Sequence, residues 1–416
     1  MSERPVVDFD HHSLDFAHRG RDIIHDLQKR CPVAYTEAHG GYWVVSDYEN
    51  VARVARDDDT FASRHELEPG SIYGGISIPP SYGKAIPIES DPPEFHPIRR
   101  ALTPWFAPHA VAEMEPLVRD LAATLVDRII ANGRCDLVAD LTNPLPSIVT
   151  MRLLGLPLGQ WEEHAQLMHE AMYVPPGPDR RLVEQKWAGM VGSIVTVIRE
   201  RRVEPGPGLI SHLANTEVEG HTLSNGDILD IAALVIAGGV DTTTAVTSNA
   251  LVYLGTHPEQ QQLLREHPER RDMACEEFLR YYSPVQALAR TVTTDVELGG
   301  QQLTRGDRVL VCWAGANQDA ATFTQPDDLV LDRNPNRHTA FGLGLHRCIG
   351  SHLARSQFRI MLDVVLDTIG EYTVDSDGVE RYPSIAVVNG IISAPATFAP
   401  KPAQGLRSAV LDAAIR

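Results

Sequence analysis

Phe341-Gly342-Leu343-Gly344-Leu345-His346-Arg347-Cys348-Ile349-Gly350 is the stretch on which the reading of this 416-residue chain turns. It holds one cysteine among glycines and a histidine, and it runs directly into Ser351-His352-Leu353-Ala354-Arg355-Ser356-Gln357-Phe358-Arg359-Ile360. That second run has helical spacing, with apolar Leu353, Phe358 and Ile360 and no breaker before Gly370. The cysteine therefore sits where a loop delivers its sulfur to a helix N-terminus, where unpaired N–H groups and the helix dipole favour a thiolate. Gly342 and Gly344 remove side chains, so the loop can lie flat against something bulky, and Gly350 allows close approach beyond the sulfur. A thiolate held at the face of a large planar group points to axial ligation of haem iron. A single cysteine before a helix is more often a small buried hydrophobe, so the remaining motifs decide between the two.

Composition narrows the class. At 43% hydrophobic residues the chain can bury a sizeable core, and no linker, repeat or low-complexity run divides it, so one domain over 1–416 is expected. Met1 to Asp10 carries charge and proline where a signal peptide needs an apolar run. Apolar stretches such as Ile228 to Val240 are too short and interrupted to span a bilayer, so a soluble protein with no membrane contact is expected. The five cysteines are scattered without a Cys-x-x-Cys pair, which indicates neither a disulfide framework nor a zinc site and fits a reducing cytoplasm. A formal net charge of −18 argues against nucleic-acid binding.

The periodicity predicts a mainly α protein with a small β-rich region. Helices are expected over Ala110 to Ile130, Trp161 to Met172, Leu182 to Arg202, Pro258 to His267, Pro268 to Tyr282 and Ser351 to Ile369. A long one should start at Ser224, with Asp227 completing a capping box, and run to Gly255, about 45 Å. Short strands are expected at Val33 to Thr36, Tyr42 to Val45, Leu288 to Val292, Arg308 to Trp313 and Ser384 to Ile392. The β-rich part thus draws on about 30–60, 285–315 and 380–400, and the helical part on about 90–280 and 350–370. Arg64 to Pro93 is long, rich in Gly and Pro and without a period, as functional or mobile loops are.

Other motifs carry chemistry. Gly238-Gly239-Val240-Asp241-Thr242-Thr243-Thr244 interrupts the long helix, and its two glycines cost about 2 kcal/mol relative to alanine. One reading is a close helix crossing with hydroxyls bonded back to i−4 carbonyls. The other is a widened turn over a bound ligand, with an acid beside a hydroxyl able to bind dioxygen and pass protons to it. Glu277-Phe278-Leu279-Arg280 is a Glu-x-x-Arg which, taken alone, reads as a surface ion pair worth a few tenths of a kcal/mol. Haem carries two propionates, and burying those charges requires basic partners.

Phe-Gly-x-Gly-x-His-x-Cys-x-Gly, preceded at the expected distance by Gly-Gly-x-Asp-Thr-Thr, resembles the cytochrome P-450 family, and the likeness runs from Tyr42 through the terminal strands. The resemblance implies that family's fold, with the long central helix over haem b (iron protoporphyrin IX). It makes Cys348 the iron ligand, with Phe341, Gly342, Gly350 and Gly238 around the cofactor. It makes His346, Arg290 and Arg99 propionate partners; many relatives carry His four residues before that arginine, where this chain has Phe95, and His96 one place on is assigned no such role. Glu277, Arg280 and Arg333 become a buried structural clamp on the cysteine loop, and Asp241 and Thr242 the catalytic pair. The substrate pocket should draw on the loop from Ile72 to Pro80, on Met168 to Val174, and on Leu234, Ala237, Val285, Gln286, Leu288, Asn389 and Ile391, with Gln286 and Asn389 as polar anchors for a small or medium apolar molecule. The expected reaction inserts one oxygen atom of O2 by hydroxylation, epoxidation or oxidative dealkylation. No length remains for a flavin or iron–sulfur module, so electrons are expected from NAD(P)H through a separate ferredoxin reductase and ferredoxin. Arg337, Arg347, Arg355 and Arg359 would supply a basic docking patch on a monomer. A haem-thiolate gas or redox sensor and a peroxide-driven peroxygenase are the rival readings, and neither has much need of Asp241-Thr242.

Overall fold

In the computed structural model, which describes residues 4–68, 70–71, 74–80, 84–173 and 180–415, helix dominates. The first helices are α1 (Leu14–Arg30), α2 (Tyr48–Arg56), α3 (Phe95–Phe106), α4 (Pro108–Ile129), α5 (Pro144–Leu154), α6 (Trp161–Tyr173), α7 (Arg180–Val203) and α8 (Leu209–Asn215). They are followed by α9 (Asn225–Thr256), α10 (Pro258–Glu266), α11 (Arg271–Tyr282), α12 (Trp313–Asn317) and α13 (Ser351–Val364). Ends follow local chemistry. Ser13 caps α1 by accepting from Phe16 N, Asp47 caps α2 through Asn50 N, and after α4 Gly133 turns the chain at φ 65°.

Helix α9 is the axis of the fold. Ser224 Oγ accepts from Asp227 N at 3.0 Å while Asp227 Oδ2 accepts from Ser224 N at 3.0 Å, the expected capping box. Helices α5, α6, α7 and α13 pack along it. Ile228, Ile231, Ile236, Val246, Leu251 and Leu254 are all buried, at roughly 1.5–3 kcal/mol per side chain removed from water. It is the one described helix long and apolar enough to cross a membrane, but here it is packed inside the fold. Gly239 is there for a close crossing: a Cβ would lie 2.7 Å from Thr150 Oγ1 of α5.

The main sheet is built from β1 (Val33–Thr36), β2 (Tyr42–Val45), β3 (Phe61–Ala62), β4 (Ala287–Val292) and β5 (Arg308–Cys312). Its order is β1-β2-β5-β4-β3, with β2 and β5 parallel and the other neighbours antiparallel. Val309 pairs with Trp43 and with Arg290, so β5 joins the N-terminal hairpin to the strand that carries Arg290. A second sheet joins Tyr372–Val374, Pro395–Phe398 and Arg134–Asp136.

Three expectations change. Ser384 to Ile392 is not one strand: only Ile391–Ser393 is extended, because Val388 makes a lone bridge to Val285 and the Asn389 carbonyl accepts from Asn249 Nδ2. The helix expected to Ile369 gives way after Val364 to a wider turn over Val365–Ile369. Trp313 opens α12 rather than ending β5.

The segment between β3 and α3 is held by polar pins. Glu89 Oε1 accepts from Ile76 N and Oε2 from Ala85 N; Asp91 accepts from Ser63 N and Arg64 N. Arg308 donates to the carbonyls of Gly75 and Ser77, and Ala289 N to that of Ile76.

Candidate active site

Backbone geometry sets the cysteine loop. Gly342 and Gly344 have φ of 69° and 70°, a region that side chains disfavour, and a Cβ on Gly344 would lie 2.1 Å from the Ala55 carbonyl of α2. Gly344 is thus fixed by the protein behind the loop rather than by anything bulky in front. Gly350 differs from expectation: a Cβ there would make ordinary contacts of 3.9 Å to Cys348 Sγ and 4.0 Å to Phe106. Cys348 N donates to Phe341 O at 2.8 Å, and α13 begins three residues after the sulfur. Cys348 is accessible although protein packs closely around it. Burial pushes the thiol up, while the Gly350 N–H and Arg99, Arg347 and Arg355 pull it down. Burial is the largest of these influences.

Glu277 and Arg280 are not a surface pair. Both side chains are fully buried, with Arg280 Nε and NH2 each 2.8 Å from the Glu277 carboxylate. Arg333 Nε lies 3.0 Å from Glu277 Oε2, and Val330 N and Asn336 Nδ2 add donors. Arg280 spends its other N–H groups on the carbonyls of Asn317, Pro326 and Asp328. Helix α11 is thereby tied to the chain leading into the cysteine loop.

Three basic side chains surround that loop. Arg290 of β4 is buried, and among the described residues its guanidinium makes one hydrogen bond, to the neighbouring Ala289 carbonyl. Burial lowers it to about 10. Both His346 ring nitrogens lack a hydrogen-bond partner there; Nε2 is 3.8 Å from Asp91 Oδ1, too far for one. Arg99 NH2 donates to the Arg347 carbonyl at 2.7 Å. Phe95, one turn before it on α3, is buried with its ring centroid 4.7 Å from that of His346, and His96 is exposed. The Phe95/His96 departure therefore places an aromatic wall beside His346.

The exposed stripe of α9 lies among the motif residues. Leu234, Ala237 and Thr242 are half-buried and Gly238 is exposed, at helical spacing; Ala233, Val235 and Gly239 beside them are half-buried too. A Cβ on Gly238 would meet nothing within 4 Å. The widened turn is not observed: helix continues through 225–256, and Thr242 Oγ1 donates to the Gly238 carbonyl at 2.7 Å, the i−4 bond of the packing alternative. Asp241 is fully buried and faces a network that the motifs did not reveal. Tyr382 Oη donates to its Oδ1 at 2.7 Å, His169 Nδ1 shares that oxygen, and Asn143 Oδ1 holds His169 Nε2 at 2.8 Å. Asp241 Oδ2 has no partner among the described residues.

The expected pocket residues divide. Val285 and Leu288 are half-buried, like Leu234 and Ala237. Gln286 is spent elsewhere, its Nε2 donating to the Tyr282 and Ser283 carbonyls, and Asn389 Nδ2 likewise donates to Tyr282 O. Ile391 is a core residue. Leu234, Ala237, Val285 and Leu288 are thus partly open, while the amide donors of Gln286 and Asn389 are engaged by backbone and Ile391 packs in the core. Ile72, Tyr73 and Val174 lie outside the described residues. The four-arginine patch also shrinks: Arg355 pairs with Glu276 and Arg359 with Asp272 and Asp363, leaving Arg337 and Arg347 exposed.

A mainly helical fold with a glycine-shaped cysteine loop, a buried Glu-Arg-Arg clamp and a central helix bearing an acid–alcohol pair describes a haem-thiolate protein. The cytochrome P-450 family model matches residues 22–369, and the chain belongs to that family. The linalool 8-monooxygenase of Pseudomonas putida is 30% identical over 366 residues, 85% of this chain and 90% of its own length. The steroid C26-monooxygenase of Mycolicibacterium smegmatis is 31% identical over 366 residues, 86% and 88% of the two chains. Among solved structures, a cytochrome P-450 from Chondromyces apiculatus superposes with a TM-score of 0.81 at 30% identity, over 95% of this chain and 99% of that one. A Bacillus megaterium protein solved in complex with testosterone gives 0.83 at 26%, over 93% and 99%. The protein is a cytochrome P-450 monooxygenase, and the family's cofactor is haem. The residues present fit that group: an accessible thiol, a bare glycine on the α9 stripe, and two nearly buried bases with hydrogen-bonding capacity unspent.

Proposed function

We propose that this monooxygenase hydroxylates, epoxidises or dealkylates a small or medium apolar molecule, with haem b held by Cys348 and electrons drawn from a separate ferredoxin and its reductase. The observation that carries the site is the accessible Cys348 sulfur on the same loop as His346, whose ring nitrogens have no hydrogen-bond partner among the described residues, with the buried Arg290 guanidinium making a single hydrogen bond there. When bound, the haem supplies the reductive activation of dioxygen. Cys348 would hold its iron, Phe341 and Gly342 shape the loop beside it, Gly350 follows the sulfur at the start of α13, and Gly238 leaves room on α9. His346, Arg290 and Arg99 oppose the propionate charges. Glu277, Arg280 and Arg333 keep the loop in place.

Asp241 is the carboxyl group placed to relay a proton. Its Oδ1 is fixed by Tyr382 and His169, so Oδ2 is the oxygen left to exchange it. Thr242 Oγ1 already donates to Gly238 O and so presents lone pairs to the next donor. The aliphatic quartet Leu234, Ala237, Val285 and Leu288 supports an apolar substrate, as do relatives named for linalool and steroid oxidation. Exposed Arg347 and Arg337 are the docking charges that remain for an acidic ferredoxin. A cytoplasmic monomer fits the charge and cysteine pattern.

The test is spectroscopic. The reduced protein with carbon monoxide should show the red-shifted Soret band of thiolate ligation, and Cys348→Ser should lose it. A variant that keeps both the band and its haem removes Cys348 from the iron.

A further inference from the structure

Far along the chain from the cysteine loop, three histidines meet where the N-terminal segment, the turn between β1 and β2 and the loop before α3 converge. One ring nitrogen each of His11, His12 and His39 lies within 4.8 Å of the others. Ring centroids are 4.3 Å apart for His11 and His12, 5.1 Å for His12 and His39, and 5.8 Å for His11 and His39. We propose that His11, His12 and His39 form a binding site for one divalent transition-metal ion of the zinc type, separate from the haem.

Imidazole nitrogen is the commonest ligand for an ion of this type, and the cluster brings one from each of three rings together. Zinc holds its nitrogens at about 2.0–2.1 Å, which places them roughly 3.4 Å apart in a tetrahedron. The present spread is therefore at most about 1.4 Å too open, a gap that ring rotation would have to close. His39 is exposed on the turn and His12 is half-buried, whereas His11 is buried.

The surroundings are those of a metal centre rather than of a chance surface cluster. His11 Nδ1 lies 2.8 Å from Tyr42 Oη, which fixes the buried ring. His39 Nε2 lies 2.8 Å from Asp10 Oδ1, and the same oxygen accepts from His12 N at 2.8 Å. Such a carboxylate sets the tautomer and orientation of a ligating imidazole. Nε2 of His11 and of His12 both point at the Ile78 carbonyl, at 3.1 and 2.8 Å. One oxygen now serves two rings, and a cation would take over part of that role. The ion would join residues 10–12 and the turn at 38–40 beside the loop carrying Ile78.

The experiment uses the haem-loaded protein, stripped with chelator and dialysed against ZnCl2. Haem iron serves as internal standard, and wild type should hold one zinc per iron. His12→Ala and His39→Asn should each weaken zinc binding at least tenfold by calorimetry. Asn is chosen at 39 because φ there is 50°, which it tolerates. His18→Ala, on the exposed face of α1, should bind as wild type does. Zinc should also raise the melting temperature of wild type and not of the two cluster variants. An unchanged carbon monoxide spectrum in all variants shows that the haem site is intact. No binding near one equivalent in wild type, or affinity in His12→Ala/His39→Asn within twofold of wild type, overturns the proposal.

Discussion

Replacing Glu277 by alanine should be felt throughout the cysteine loop, and the structure sets the size of the effect. The carboxylate accepts from Arg280 Nε and NH2, Arg333 Nε, Val330 N and Asn336 Nδ2. Breaking a buried ion pair costs about 3–5 kcal/mol, mainly because the remaining charge is left without compensation. Here Arg280 keeps the carbonyls of Asn317, Pro326 and Asp328, and Arg333 keeps those of Thr324 and Gln325, so the low end applies. An unsatisfied N–H at Val330 adds about 1 kcal/mol, for a total of about 4 kcal/mol. At roughly 2.1 cal/mol/K of unfolding entropy per residue, a 416-residue chain loses about 1.1 °C of melting temperature per kcal/mol. Glu277→Ala should therefore melt about 4–5 °C lower by circular dichroism, with a reduced iron-to-protein ratio. Glu277→Gln, which keeps one acceptor oxygen, should fall in between. A drop under about 1 °C with full haem content would refute the claim that this carboxylate holds the loop.

Thr242→Ala should leave fold and haem spectrum intact while product per NADH falls and hydrogen peroxide rises; Asp241→Asn should instead slow turnover itself, by about ten- to a thousandfold. Unchanged coupling in Thr242→Ala would reduce its hydroxyl to a helix-packing bond. Gly344→Ala, with φ at 70° and the Ala55 carbonyl 2.1 Å from the new Cβ, should cost haem content and several degrees of melting temperature, whereas Gly350→Ala should be tolerated; equal behaviour of the two defeats the backbone argument. Arg355 and His338 hold Glu276 down at about 2 from its ordinary 4.5, so its contribution is complete above pH 4.5 and disappears as pH falls toward 2. Melting temperature between those values should accordingly decline less steeply in Glu276→Gln than in wild type, and equal slopes would remove Glu276 from the acid transition.

Local chemistry announced much of this. Ser224 and Asp227 stand three residues apart, and the cap of α9 follows from that spacing alone; the cysteine loop is likewise contiguous. Helix α5 was missed because it is buried on nearly every side and has no apolar stripe, and because Pro144 and Pro146 look like breakers, although proline is tolerated in a first helical turn. The partners of Asp241 were illegible for another reason: His169 and Tyr382 stand 72 and 141 residues away, so only the tertiary fold unites them. His169 did fall within the segment expected at the pocket, without a role. Gln286 and Asn389 read as anchors because each is a polar side chain between aliphatic ones; here their amide donors serve the Tyr282 and Ser283 carbonyls after α11, which the sequence did not reveal.

Glu89 and Asp91 have a further consequence. The groups they hold are main-chain amides of Ser63, Arg64, Ile76 and Ala85, which every residue except proline possesses. At those four amides the backbone is held without regard to the side chain, whereas Gly74 and Gly75, at φ 82° and 55° with no room for a Cβ, are fixed by identity. Side chains at the pinned positions can drift while two carboxylates keep the backbone there on course. Selection for a new substrate can act on such a stretch without first having to rescue the fold.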